Sequence, residues 1–144
     1  RQSGQYGMVI PRFVQAALTD RPLEVHGDGT QTRCFCHVAD TVRGLKGLMD
    51  DTGTSGEIYN VGSQERLAIS ELARRVIEKV GSASEIVFVP YEDVFPHGAM
   101  EEMFHREPSI EKIGNAIGWG PTQTLDDILA DVIAFERRRV EAAA

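Results

Sequence analysis

A chain of 144 residues with 42% hydrophobic content and a formal net charge of −7 has the size and composition of one globular domain. It carries no disorder signature and no apolar run long enough to span a membrane. Its arginines form no stripe of the kind that nucleic-acid phosphates demand, although two or three well-placed guanidinium groups still suffice to bind a smaller anion.

Taken in chain order, Pro11 suits the first position of a short helix whose apolar face is Phe13, Val14, Ala17 and Leu18 and which ends near Thr19 and Asp20. Leu23–His26 then predicts a strand, followed by a turn at Gly27 and Gly29 and a second strand. Asp40 is expected to cap a helix with Val42, Leu45, Leu48 and Met49 on one face, and 51–56 reads as a loop. A short buried strand is expected at 58–61.

Ser70 is placed to cap a helix with Leu72, Ala73, Val76, Ile77 and Val80 inward, Lys79 in its last turn and Gly81 as its stop. Ile86–Val89 is a strand by its β-branched and aromatic content, and 90–107, which has no clear period, is expected to be a long loop. Ser109 suits the cap of a short helix with Ile110, Ile113 and Ile117, stopped by Gly118. Thr124 with Asp127 resembles a capping box for a final helix whose core positions are Leu125, Ile128, Leu129, Val132 and Ile133. The arginines at 137–139 lie at that helix's negative end, where cations are favoured. Cys34 and Cys36, two apart in a predicted strand, point to one face and cannot easily bridge, so buried free thiols of a reducing cytoplasm are expected. A metal site at Cys34, Cys36 and His37 is the weaker alternative, because the spacing matches no usual zinc pattern.

The stretch 22–40, PLEVHGDGTQTRCFCHVAD, sets a strand, a glycine turn and a second strand around a single arginine, Arg33. Gly27 and Gly29 permit positive φ and close backbone approach, so a flat or anionic ligand has room against the turn with Arg33 reaching its charge. The stretch resembles the substrate-binding segment of the nucleotide-sugar epimerases, dehydratases and decarboxylases of the extended short-chain dehydrogenase/reductase family. There it runs hydrophobic-x-V-aromatic-G-D-G-x-Q-x-R-x-F-x-x-V-x-D, which Leu23, Val25, His26, Gly27, Asp28, Gly29, Gln31, Arg33, Phe35, Val38 and Asp40 fit or nearly fit. RQSGQYG at 1–7 is similar to the tail of the family's Y-G-P-R-x segment, IYNVG at 58–62 to its Y-N-x-G strand, REPSI at 106–110 to its R-x-P-D-x segment, and GWGP at 118–121 to its G-W-x-P turn.

The resemblance implies an α/β fold: the C-terminal substrate-binding part of an extended Rossmann-type epimerase or dehydratase, short strands with about five helices, without the N-terminal dinucleotide-binding sheet. Residues 1–144 would form one nucleotide-sugar-binding domain, with 57–61 and 40–49 belonging structurally to the absent Rossmann domain. Arg33 corresponds to the arginine that binds the diphosphate and Arg106 to a second that closes on it; the alternative for either is a surface salt bridge. His26 stands where an aromatic usually flanks the base, or is an ordinary half-exposed strand histidine. Val25 and Val9 would meet the base, or simply pack in the core. Gln31 would reach the sugar or diphosphate, or be solvated in its loop. Asn60 would make polar contacts near the substrate, or bond its own backbone at a strand end.

The family's chemistry also needs a Gly-x-x-Gly-x-x-Gly turn, a Tyr-x-x-x-Lys pair and a Ser or Thr on the sugar hydroxyl. Here Tyr6, Tyr59 and Tyr91 are followed four residues on by Ile10, Ser63 and Phe95, and no glycine triplet has the spacing. The chain is therefore expected to hold no catalytic, cofactor-binding or metal-ligating residue and to be inactive alone, with NAD bound by the absent domain. The parent enzyme would oxidise a UDP- or dTDP-hexose at C4 through NAD and then epimerise, dehydrate or decarboxylate it, a UDP-glucose 4-epimerase being the leading subtype. A homo-oligomer in the cytoplasm, without nucleic-acid or membrane partners, completes the expectation. The competing class is a free-standing, non-catalytic nucleotide-sugar-binding or interaction module, which a coding sequence continuing upstream through a Tyr-x-x-x-Lys motif would exclude.

Overall fold

The computed structural model describes residues 8–94 and 104–142. The segment at 1–7 and the middle of the loop expected over 90–107 lie outside them. The chain falls into two compact units, one from 1–32, 67–104 and 129–144, the other from 33–66 and 105–128.

The first unit is built on a parallel pair of strands. β1 (Leu23–His26) lies beside β4 (Ile86–Val89) in the register Leu23↔Ile86 to His26↔Val89. Leu23 and Val25 are buried while Glu24 between them is exposed, as period-two alternation requires. α1 (Val9–Leu18) buries Ile10, Phe13, Val14 and Ala17 against the sheet and against α3 (Ile69–Val80). Pro11 is the third residue of α1 rather than the first, still within the turn whose N–H groups have no intrahelical partner.

α3 buries Ile69, Leu72, Ala73 and Val76 and stops at Gly81, whose φ of 73° lets its N–H reach the carbonyl of Ile77 at 2.9 Å. Ser70 does not cap it: the N-cap is Ala68, and the amides of Ile69 and Ser70 donate instead to the carbonyls of Gln31 and Gly29 at 3.1 and 3.0 Å. A three-residue strand missed by periodicity, β3 (Arg66–Ala68), pairs with β2 (Thr32–Cys34). α4 (Tyr91–Val94) forms a single turn where only loop was expected.

In the second unit α2 (Val38–Asp50) starts from His37, whose Nδ1 accepts the Ala39 amide at 3.1 Å. Asp40, expected as the cap, is the third helical residue and is buried. The expected apolar face of α2 is largely exposed, Met49 by 85%, whereas the small Gly44 faces Trp119 and Val61. A 3-10 turn (Thr52–Thr54) follows, with Thr54 Oγ1 donating to the carbonyl of Leu48 at 2.7 Å.

The buried strand expected at 58–61 is not formed: no ladder pairs it among the described residues, and Ile58 is 86% exposed. Pleated backbone without a neighbour has nothing to satisfy its amides but water, so β propensity alone does not make a strand. α5 (Glu111–Ile117) starts from Ile110, not Ser109, buries Ile113, and ends at Gly118 in the left-handed region. The capping box is present as expected, Thr124 N–H donating to Asp127 Oδ2 at 2.8 Å and Asp127 N–H to Thr124 Oγ1 at 3.2 Å. It opens α6 (Leu125–Glu141), whose later residues Leu129 and Ile133 are buried in the first unit with Glu136, the last held by Gln15 Nε2 at 2.9 Å and Arg139 Nη1 at 3.0 Å.

Candidate functional site

The glycine turn of the first unit follows directly from β1. Asp28 closes it as a side-chain turn, Oδ1 accepting the Thr30 amide at 2.9 Å and the Thr30 hydroxyl at 2.7 Å, and these hydrogen bonds hold the carboxyl below its usual range. Gly27 (φ +68°) and Gly29 (φ +74°) sit where no side chain fits. A Cβ on Gly27 would come within 2.3 Å of the Tyr91 ring, and one on Gly29 within 2.8 Å of Ser70 Cβ and 2.9 Å of Val25 Cγ1. Glycine is thus required twice over, by backbone conformation and by space.

Gln31 is neither solvated nor turned outward. It is 4% exposed, and its Nε2 donates to the carbonyl of His26 at 2.8 Å. In the same unit His26 is half-buried at the end of β1, Val25 is fully buried beside it, and Val9 is half-buried at the start of α1.

Arg33, Asn60 and Arg106 belong to the second unit. Arg33 is half-buried in β2 and Arg106 is exposed next to an ion pair, Arg66 Nε to Glu107 Oε2 at 2.8 Å. Asn60 donates through Nδ2 to the carbonyl of Ser109 at 3.2 Å rather than to its own backbone. Cys34 ends β2 and Cys36 lies beyond it, and both are free and half-buried rather than buried. Burial, followed by the charge of Glu107, pushes the Cys34 thiol up, so it stays protonated.

The residue whose role sequence reasoning missed is Asp40. Only 1% exposed, it accepts the amides of Thr122 and Gln123, both at 2.9 Å, the Thr122 hydroxyl at 2.8 Å and Arg43 Nη2 at 2.6 Å, while its own carbonyl accepts Trp119 Nε1 at 3.0 Å. Burial pushes its carboxyl up, but hydrogen bonds from Gln123, Arg43 and Thr122 outweigh this and hold it well below the usual carboxylate range. Arg43 also donates to the carbonyl of Gly120 at 2.6 Å and lies over the Trp119 ring. The available signal was the co-occurrence of an aspartate ending one motif with a G-W-x-P turn more than seventy residues on.

The second unit also carries a groove of about 650 Å³, lined by Leu45, Leu48, Met49, Tyr59 and Val61 together with polar side chains between Asp51 and Glu57. Lys112 pins its wall, with Nζ at 2.6 Å from Glu57 Oε2 and above the Tyr59 ring at 4.8 Å. That contact holds the Glu57 carboxyl below, and the Lys112 ammonium above, its ordinary value. No described helix is long and apolar enough to cross a membrane.

Residues 1–62 match the family described as NAD dependent epimerase/dehydratase. The UDP-N-acetyl-alpha-D-glucosaminuronate decarboxylase of Bacillus cytotoxicus is 40% identical over 136 residues, covering 94% of this chain and 42% of that protein. The UDP-glucuronic acid decarboxylase 1 of Xenopus tropicalis is 33% identical over 138 residues, 96% of this chain and 31% of that one. Among solved structures, the UDP-glucuronic acid 4-epimerase of Bacillus cereus, in complex with UDP-glucuronic acid and NAD, superposes with a TM-score of 0.81 at 25% identity over 91% of this chain and 40% of its own. An epimerase of Methanothermobacter thermautotrophicus does so with a TM-score of 0.86 at 27% identity, over 96% and 40%. The chain therefore spans well under half the length of these relatives.

Proposed function

The chain belongs to the NAD-dependent epimerases and dehydratases of the extended short-chain dehydrogenase/reductase family, and from that premise we propose that it is the nucleotide-sugar-binding part of such an enzyme. The observation that carries this reading is the glycine turn, held at positive φ with no room for a side chain and followed four residues after Gly29 by Arg33 on β2. Arg33 and Arg106 bind the diphosphate, for which a planar guanidinium supplies parallel hydrogen bonds and a permanent charge. Val9, Val25 and His26 meet the base, and Asn60 makes a polar contact with the sugar.

A UDP-hexuronate is the favoured substrate, because the two decarboxylases and the Bacillus cereus epimerase are all named for one. A UDP-glucose 4-epimerase of Thermotoga maritima is 22% identical and speaks for the fold alone. Oxidation at C4 by NAD would open both epimerisation and decarboxylation of such a sugar. The described residues do not themselves fit NAD: none of their strand-to-helix passages carries a glycine, and the first two amides of α3 are already taken by the carbonyls of Gln31 and Gly29. Hydride transfer is accordingly assigned to residues outside this chain.

Calorimetric titration with UDP, UDP-glucuronic acid, UDP-glucose and dTDP tests the assignment. Arg33→Ala is expected to weaken UDP binding by about 1.5–3 kcal/mol, the worth of a charge-assisted hydrogen bond. A wild-type chain that binds none of the four at millimolar concentration would count against it.

We further propose that the exposed face of α2 and the 57–61 segment pack against the dinucleotide-binding part of the enzyme. Val42, Leu45, Met49 and Ile58 are exposed beside backbone at 58–61 that no ladder pairs among the described residues, a combination that invites association. The isolated chain is therefore expected to form dimers or larger oligomers through Leu45, Met49, Tyr59 and Val61. Light scattering at micromolar concentration that returned a stable mass of 15.9 kDa would refute this.

A further inference from the structure

The Gln31 amide spans the glycine turn from within, its Nε2 on the carbonyl of His26 at 2.8 Å, while its backbone carbonyl takes the first amide of α3. The turn is thus tied at both ends. At its entry Gly27 N–H donates to the carbonyl of Val89 at 2.8 Å, and at its centre Gly29 accepts the Ser70 amide at 3.0 Å. These contacts are made by backbone except the Gln31 clasp, which adds a side-chain tie to that of the turn's own Asp28–Thr30 pair. A side chain 4% exposed and committed to a carbonyl has little surface to offer a ligand.

We propose that Gln31 is a positioning residue: it does not touch the nucleotide sugar but holds the His26 peptide and the glycine turn in the conformation that receives it. This rests on the binding function proposed above. Only a donor can perform the task, because the partner is a carbonyl oxygen, so Gln31→Glu breaks the clasp when the introduced carboxyl is ionised and restores it when that carboxyl is protonated. Facing a carbonyl in a buried position, the carboxyl is favoured in its neutral form and protonates above the ordinary range.

The test compares the wild-type chain, Gln31→Glu and Gln31→Ala at pH 8 and pH 5, reading UDP affinity by titration and hydrogen-exchange protection of the Gly27 and Thr30 amides by NMR. Ratios to the wild-type chain at the same pH remove contributions from His26, Asp28 and Glu71. At pH 8 both variants are expected to lose about tenfold in protection and in affinity, with the amides of Leu72 to Val76 unchanged. At pH 5 Gln31→Glu should return to within about twofold of wild type and Gln31→Ala should not. Unchanged protection at pH 8, or equal behaviour of the two variants at pH 5, overturns the assignment. If the wild-type chain fails to bind UDP while protection follows the expected pattern, the clasp stands and the binding function falls.

Discussion

Asp40→Ala is expected to unfold the second unit at conditions where the wild-type chain is fully native. Removing the carboxylate takes the acceptor from the amides of Thr122 and Gln123 and from the Arg43 guanidinium, which all converge on the buried Asp40 side chain. Taking away a buried acceptor of several hydrogen bonds costs about 1–3 kcal/mol or more, a large share of the 5–15 kcal/mol that a typical domain has in total. Trp119 is the chain's single tryptophan and donates to the Asp40 carbonyl, so its fluorescence reports this unit directly during urea unfolding. A midpoint equal to that of the wild type would contradict the role assigned to Asp40.

The same carboxylate sets an acid limit. Its folded value lies below the unfolded value of about 3.9, so its stabilisation is complete above that pH and is lost progressively as pH falls toward the folded value. The urea midpoint read from Trp119 should therefore fall progressively below about pH 4, and Asp40→Asn, which has no charge to lose, should flatten that dependence while being less stable at neutral pH.

The second large effect is expected at Gly29, and it can be separated into two causes. Gly29→Ala must place a Cβ in the left-handed region, which costs about 1–2 kcal/mol, and must also push aside Ser70, Val25 and Phe88, which costs about 1–3 kcal/mol more. Gly81 belongs to the same unit and has nearly the same φ, +73°, with nothing within 4 Å of an added Cβ. Gly81→Ala should therefore show the backbone cost alone. A thermal melt in which both substitutions lower Tm equally would mean that the crowding around Gly29 relaxes freely.

These positions also mark what was legible in the sequence. Elements specified by neighbours along the chain were readable: β1, β4, the α3 stop at Gly81 and the Thr124–Asp127 box each depend on residues within a few positions. Elements that depend on a distant partner were not. Asp40 has the chemistry of a helix cap, and only the turn at 118–123 makes it a buried acceptor. The 58–61 segment has strand propensity but no ladder, and β3 is too short to show a period.

Of the candidate site, Arg33 and the glycines stood out because positive φ and charge are written in residue type. The function of Gln31 is not, since its partner is a main-chain oxygen that every residue possesses. Ser70 and Ser109 were misread as caps for a related reason: carbonyls of Gln31 and Gly29 serve the start of α3, and α5 starts without a side-chain cap.

The contacts of Asp40 with Thr122 and Gln123 also fix an order of events during synthesis, since they join residues 82 and 83 positions apart. At 5–20 residues per second, a ribosome needs on the order of 4–16 s to travel that distance. Throughout that interval the Asp40 carboxylate has Arg43 within its own helix but lacks the amides of Thr122 and Gln123, and the unit cannot be completed. Contacts so far apart in sequence also slow the closing step itself, so the second unit is expected to reach its native form only after the Gly118–Gln123 turn has been released, whatever the helix propensity of the residues made before it.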